Sequence, residues 1–169
     1  MLPGTPLHRL LADDFGGALV VTSGNRSGEP IYTRDDEALA GLASIADVFL
    51  IHDRRIARAV DDSVVQVVGG RPRVLRRARG YVPGPVMLPI VAAQPILAVG
   101  AQHRSTVGLV REQRAYVSQH LGDLDSARTI AAHAAAQADL QRLLGTQAQL
   151  VACDLHPDYE STRSARETG

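Results

Sequence analysis

The sequence has a single cysteine, Cys153, no tryptophan, and arginine as its only strongly basic residue type. One cysteine rules out an internal disulfide framework, and without a Cys-x-x-Cys pair there is no zinc site of that kind. The bias toward arginine and alanine reads as the coding habit of a GC-rich genome and carries no function. An excess of charge of one sign is also missing, since 18 basic residues cancel 18 acidic ones. Bulk electrostatics therefore gives no reason to expect nucleic acid or a membrane surface as a partner. No apolar run approaches the ~20 residues of a membrane-spanning helix. The opening, MLPGTPLHRLL, lacks the basic start and long apolar stretch of a secretory leader, so a cytoplasmic location is the default expectation. What remains is a chain of 169 residues, 45% hydrophobic and 21% charged. That balance is typical of soluble globular proteins, and the length suits one ordinary domain or two small ones.

The most informative stretch is VVTSGNRSGEPI, residues 20–31. The apolar run Ala18, Leu19, Val20 and Val21 predicts a buried strand that breaks into a tight loop. Gly24 and Gly28 permit close approach of the backbone to a ligand. Thr22, Ser23, Asn25 and Ser27 gather hydroxyls and an amide, and Arg26 adds charge. Loops at the carboxyl ends of strands are where open α/β sheets bind ligands. This one suits a polyoxygenated group such as a nucleotide phosphate or ribose. A solvated turn between a strand and a helix has the same composition, so the residues alone leave both readings open.

Around that loop, Thr5 caps a helix with Pro6 at its first position and Leu7, Leu10 and Leu11 on one face. Gly16 and Gly17 stop it. Thr33 is the expected cap of a second helix running to about Ser44, with Asp35, Asp36 and Glu37 complementing its dipole. Val48, Phe49, Leu50 and Ile51 read as another buried strand. Residues 56–60 are ambiguous between loop and short turn. Residues 63–68 are strongly β-branched, and Gly69 with Gly70 signals a hairpin. The return segment, residues 71–79, holds five arginines and no acid. Charge of that density needs an anion or a facing acidic pair such as Asp61 and Asp62.

Pro83, Pro85, Pro89 and Pro95 fall within thirteen residues. Prolines that dense argue against both helix and central strand, and predict a linker and domain boundary over 86–95. Residues 96–100, 106–110 and 115–118 read as three short strands of an antiparallel meander. Asp125 or Ser126 caps a long helix in which Ile130, Ala134 and Ala138 recur at spacing four, and Gly145 stops it. Residues 150–153 return to the sheet, and His156 with Pro157 opens a last, polar helix. The expected parts are 1–85, 86–95 and 96–169.

The six histidines include no pair at helical ligand spacing. No set of three or four converging metal ligands can be assembled from the sequence, so each histidine reads as structural. Cys153 follows three apolar residues and reads as a buried small hydrophobe, not a nucleophile. Asp61 and Asp62 read either as a metal-binding pair or as a solvated loop closed against the nearby arginines. The arginine cluster is denser than solubility requires and points to an anion.

Several stretches together resemble one family. MLPGTPLHRLL, VVTSGNRSGEPI, IADVFLIHDRRIARAVDDSVVQVV and LRRARGYVPGPVMLP resemble the later part of the YrdC-like domain of HypF-type carbamoyltransferases, the hydrogenase maturation proteins. ILAVGAQHRSTVGLV, AYVSQHLGDLDS and VACDLHPDYESTR resemble the opening of the same proteins' carbamoyl-transfer domain, which has an actin-like ATPase fold. The stretches keep the family's order and cover nearly the whole chain. The resemblance implies an α/β fold: the C-terminal part of a YrdC-like twisted α/β sheet, then the first βββαβα portion of an actin-like ATPase (RNase H-like) fold. It also implies an internal piece of a longer protein, from a truncated gene, a split gene or an excision. The family has an acylphosphatase-like domain, zinc-finger-like modules and the first part of the YrdC-like domain before the matched region. A His-x-x-x-His metal motif and most of the ATPase-like fold follow it.

The implied chemistry is concrete. In the family, ATP, Mg²⁺ and carbamoyl phosphate give a carbamoyl adenylate in the YrdC-like domain. The second domain passes the carbamoyl group to the C-terminal cysteine of a HypE-type partner, on the way to the cyanide ligands of nickel–iron hydrogenase. The family's zinc and His-bound metal belong to parts outside the match. Ser23 and Asn25 match the Ser-x-Asn element that contacts the nucleotide, with Thr22 beside them. Arg76 and Arg79 match the Arg-rich segment that faces the phosphates, a task suited to guanidinium forks. Displacing pyrophosphate spreads negative charge that preorganised cations stabilise. Asp62 would orient an arginine or help place Mg²⁺. Gly100 and Arg104 lie in the family's first glycine-containing hairpin, near the nucleotide phosphates. There Gln102, Arg104 and Ser105 replace the family's usual acid, lysine and asparagine. No residue is assigned a catalytic step or a metal.

Two functional readings follow. One is an enzyme fragment carrying half of an adenylate-forming pocket. The other is a nucleotide-binding or partner-binding module that catalyses nothing alone, and this is the behaviour expected of the isolated chain. A decayed product whose unpaired strand edge invites association is a third possibility. The nucleotide reading requires the loop after Val21 and the arginine-rich return after Gly70 to face a common hollow, and it is lost if Asn25 and Arg79 stand on opposite surfaces, beyond the reach of one nucleotide.

Overall fold

The computed structural model describes residues 3–168. Along the chain run α1 (Pro6–Phe15), α2 (Asp35–Leu42), β1 (Val64–Val68), β2 (Arg71–Arg76), β3 (Pro85–Ala98), β4 (Gly108–Val117), α3 (Ala127–Leu144), β5 (Leu150–Ala152) and α4 (Glu160–Thr168). β1 and β2 pair as an antiparallel hairpin across Gly69 and Gly70. The second sheet has the order β4-β3-β5, with β4 antiparallel and β5 parallel to β3. No helix among the described residues is long and apolar enough to cross a membrane.

The locally signalled helices form as the sequence predicts. The Thr5 side chain accepts the His8 N–H, and Gly16 closes α1 in the left-handed region at φ 66°. Ser126 caps α3 in a reciprocal box with Thr129, and Gly145 ends it at φ 56°. α2 departs from expectation, because its cap position is Arg34, not Thr33, and carries no side-chain cap bond. It also ends at Leu42, short of Ser44. α4 starts at Glu160, later than His156 and Pro157; those two residues form a turn in which the His156 ring stacks on Tyr159.

The strand expectations need more correction. Residues 18–21 and 48–51 are not strands. Val20 and Val48 stand in solvent at 102% and 84% exposure. A strand exists only beside a partner, and no described segment pairs with either run. Residues 86–95, expected as a linker, lie inside β3. The β3–β4 ladder skips from Met87 to Ala92 and from Ala92 to Ile96. Pro89 and Pro95 sit in those gaps, where a missing N–H removes no ladder bond. Residues 106–110 and 115–118 are not two strands, because β4 runs unbroken through the polar Arg111 and Arg114. Its register slips at Glu112, whose φ of 56° marks a bulge and not a turn. Cys153 follows the end of β5 and is exposed, not buried.

The sealed core belongs to the second half. Leu97, Val99, Val107 and Leu109 are fully buried, and Leu121, Ala136, Leu140 and Ala165 complete the cluster. His133 is buried in it beneath the sheet. The Gln137 amide nitrogen lies 3.1 Å from His133 Nδ1, so Nδ1 accepts, and Nε2 donates to the Val99 carbonyl at 2.7 Å. Before Ala78, Tyr32 is the one buried apolar side chain among the described residues.

Replacing Leu97 with alanine should cost about 2–5 kcal/mol, read as a lower urea midpoint at unchanged slope. Val20→Ala, in solvent, should stay within about 0.5 kcal/mol of the parent.

Candidate functional site

The loop after residue 21 is folded upon its own amides. Asn25 Nδ2 donates to the carbonyls of Arg26 and Glu29, at 3.0 and 2.8 Å. Ser23 Oγ donates to Asn25 Oδ1. The Tyr32 N–H closes the loop onto the Gly24 carbonyl at 3.1 Å. Gly28 takes the positive φ of 77° that the turn requires. Arg26 Nε reaches the Gly41 carbonyl at 2.9 Å and ties the loop to α2. Asn25 therefore shapes the turn from within, which is how a short polar loop holds one conformation.

The arginines of the return strand meet protein groups. Arg76 pairs with Asp61 at 3.0 Å and donates Nε to the Asp62 carbonyl at 2.8 Å. Arg79 faces Asp62 at 3.4 Å and donates to the Val60 carbonyl at 3.1 Å. Arg77 donates to the carbonyls of Tyr81 and Gly84. Asp61 and Asp62 are thus the loop closed against its neighbouring arginines, and that part of the cluster's charge is met without an external anion.

Between the two halves lies a cavity of about 840 Å³. One wall carries Asn25, Glu29, Asp61 and Arg76, and the other carries Arg104, His120, Asp123 and Arg128. Asn25 and Arg76 are brought together. Arg79 is not: it borders a second hollow of about 260 Å³, together with Arg58, Val82 and Pro83. β2 ends at Arg76, Arg79 follows it and pairs with Asp62, and the two hollows adjoin, sharing Arg58, Gln119, Ala136 and Asp139. Thr22, Ser23, Asp62 and Gly100 line neither hollow. Asn25 and Arg76 thus line one hollow, and Arg79 lines the one that adjoins it.

The far wall is built by two loops that brace each other. Gly100 sits at φ 74°, and a Cβ there would collide with the Thr106 carbonyl. The Ser105 N–H donates to the Gly122 carbonyl at 2.8 Å. The Gln102 amide donates to the Leu124 carbonyl and to Asp125, while its oxygen accepts the Glu160 N–H at the start of α4. Arg104 stands at φ 49°, its N–H held by Asp123 at 2.7 Å, which keeps the Asp123 carboxyl below the usual carboxylate range. The Arg104 guanidinium forms no close ion pair among the described residues, though its charge acts on Asp123.

Residues 119 and 120 dock this wall onto the first half. The His120 N–H donates to the Arg77 carbonyl at 3.1 Å, and Gln119 Nε2 to the Ala59 carbonyl at 3.2 Å. Burial pushes the His120 imidazole below its ordinary value, and the Arg76 guanidinium pushes it the same way. The sequence reading missed Glu29, Glu37 and Arg128, which meet across this interface with nothing in their local pattern to announce it. It also assembled no metal set. Folding brings His103, Asp123 and Asp125 from two loops to within 4.8 Å of one another, all exposed.

Residues 91–169 match the family model of the HypF Kae1-like domain, and residues 1–78 match the model described as telomere recombination. The chain is 48% identical over 165 residues to carbamoyltransferase HypF of Synechocystis sp., covering 98% of this chain and 22% of that protein. It is 50% identical over 165 residues to carbamoyltransferase HypF of Rhodobacter capsulatus, with 96% and 22% covered. The chain thus spans about a fifth of the length of the curated relatives it matches. It is also similar to a crystal structure of full-length HypF in the phosphate- and nucleotide-bound form, with TM-score 0.88 and 38% identity, covering 98% of this chain and 26% of that one. Against the crystal structure of T. kodakarensis HypF the TM-score is 0.79 at 35% identity, covering 86% and 19%.

The His120 environment has a pH signature. A folded-state pKa below the unfolded value of about 6.5 means that unfolding takes up a proton between the two values. The contribution is fully present above about pH 6.5 and declines as pH falls toward the lowered folded value. Urea unfolding of the parent and His120→Gln from pH 7.5 to 5 should therefore show the parent losing stability relative to the variant as pH drops. The His120 imidazole proton should titrate below 6.5 by NMR.

Proposed function

The chain belongs to the HypF carbamoyltransferase family, and from that premise we propose that its cavity is a nucleotide site, the place where ATP is held for carbamoyl activation. The observation that carries this reading is one cavity of about 840 Å³ lined by both halves of the chain, with Asn25 and Arg76 facing Arg104 and His120. Small-molecule sites fall in the range of about 300–1,000 Å³. The HypF crystal structure similar to this chain contains phosphate and nucleotide, which supports the same assignment here.

The groups present fit a nucleotide. Arg104 offers a guanidinium with no close ion pair among the described residues, and Arg76 one already oriented by Asp61. Both suit phosphate oxygens. The Asn25 loop presents a fixed polar surface beside them. Mg²⁺ prefers carboxylate and phosphate oxygens, and Asp123, which lines the cavity with Asp125 close to it, supplies the former. Asp62 pairs with Arg79 and does not line the cavity. ATP bound here supplies the activating adenylyl group. The chain's residues orient its phosphates and stabilise the charge that grows on departing pyrophosphate. In the whole protein this serves cytoplasmic hydrogenase maturation, with carbamoyl phosphate as donor and the C-terminal cysteine of a HypE-type protein as acceptor. Residues 1–85 and 96–169 form its two units, joined through the first part of β3.

For this chain alone the reading is binding without turnover. Calorimetric titration with ATP and Mg²⁺ should give saturable binding that Asn25→Ala weakens about tenfold, the equivalent of ~1.4 kcal/mol. Adding carbamoyl phosphate should release no pyrophosphate. Absence of saturable binding to the folded chain overturns the nucleotide site, and steady pyrophosphate release overturns the non-catalytic assignment.

A further inference from the structure

Tyr32 is enclosed from both halves of the molecule. On one side lies Gly41 of α2, so close that a Cβ there would collide with the Tyr32 hydroxyl. On the other lies Arg128, from the first turn of α3, whose guanidinium sits over the ring at 4.2 Å. The same guanidinium reaches Glu37 at 2.9 Å, across 91 positions of sequence, and Glu29 at 3.8 Å. Glu29 in turn supplies the carbonyl that accepts the Asn25 amide at 2.8 Å. Tyr32 supplies the N–H that closes the loop on Gly24. One side chain of the second half thus grips both the middle and the end of the Asn25 loop.

Charge adds a second consequence. Glu29, Glu37 and Arg128 all line the cavity. With Arg128 present, the two carboxylates share a cation. Without it Glu29 would face an anionic ligand uncompensated, and Glu37 would keep only Arg34, at 3.4 Å.

We propose that Arg128 is a positioning residue for the cavity: by stacking on Tyr32 and pairing with Glu29 and Glu37, it holds the Asn25 loop in its binding shape and cancels acidic charge on the wall. The second half thereby sets the nucleotide affinity of the first. This inference rests on the nucleotide reading above. Lysine is a poor substitute, because it keeps the charge but lacks the planar fork that stacks and bridges two acids.

The test combines ATP and Mg²⁺ titration with amide hydrogen exchange on the parent, Arg128→Ala, Arg128→Lys and Gly41→Ala. Arg128→Ala should weaken ATP about tenfold, within the usual range of coupling between sites. It should speed exchange at the Glu29 and Tyr32 amides and leave the amides of α3 around His133, and the urea midpoint of the core, unchanged. Arg128→Lys should recover part of the affinity while the loop amides stay fast. Gly41→Ala alters no charge but displaces Tyr32, and should speed the same two amides. Parent-like loop exchange or parent-like ATP affinity in Arg128→Ala overturns the proposal. If Arg128→Ala fails to fold, Gly41→Ala decides alone, and parent-like loop exchange in it overturns the proposal. If the parent binds no ATP, the nucleotide reading fails instead, and loop exchange still judges the positioning.

Discussion

The constraint on which the rest of the structure depends is that apolar burial is confined to one side of the molecule. Leu97, Val99, Val107 and Leu109 seal a core under α3, while among the described residues before Ala78 only Tyr32 is a buried apolar side chain. The Ser/Gly loop and the arginine-rich hairpin are therefore placed by polar contacts with the second half. Those are the Arg128 clamp, the His120 and Gln119 bonds to backbone carbonyls, and the Arg58–Asp139 pair at 3.5 Å. Each such half-exposed pair contributes little to stability, typically about 0–1 kcal/mol. Their effect is geometric, fixing where a loop stands.

That division of labour explains the cavity. It forms where a sealed unit meets an unsealed one, and its walls come from both. Its cations are mostly oriented in advance, Arg76 by Asp61, Arg58 by Asp139 and Arg128 by Glu29 and Glu37. Arg104 is the exception, held through its backbone N–H, with no close ion pair at its guanidinium among the described residues. Preorganised charge needs little rearrangement when an anion arrives, which is the property that phosphate chemistry requires.

How much of this was legible in the sequence follows from the range of the forces involved. The caps at Thr5 and Ser126, the stops at Gly16 and Gly145, and the Gly69-Gly70 hairpin are local, and each stands where the residues say. Residues 18–21 and 48–51 have strand composition, but strand formation depends on a partner elsewhere in the chain. Pro89 and Pro95 appear to forbid a strand until the register gaps that accommodate them are seen, and Glu112 hides a bulge inside what looks like a turn. At the site, Asn25 and Arg76 could be chosen by pattern and family likeness. That Arg79, three residues on, lines the adjoining hollow and Arg76 the larger one depends on where β2 ends. Arg128 carries no pattern at all, because its role exists only through residues about ninety positions away.

That both halves serve one ligand is tested most directly by an NMR titration with ATP and Mg²⁺, following the Asn25 side-chain amide and the His120 imidazole in the same samples. Both signals should shift along a single binding curve. Movement of one without the other, or two separate dissociation constants, would contradict a shared site.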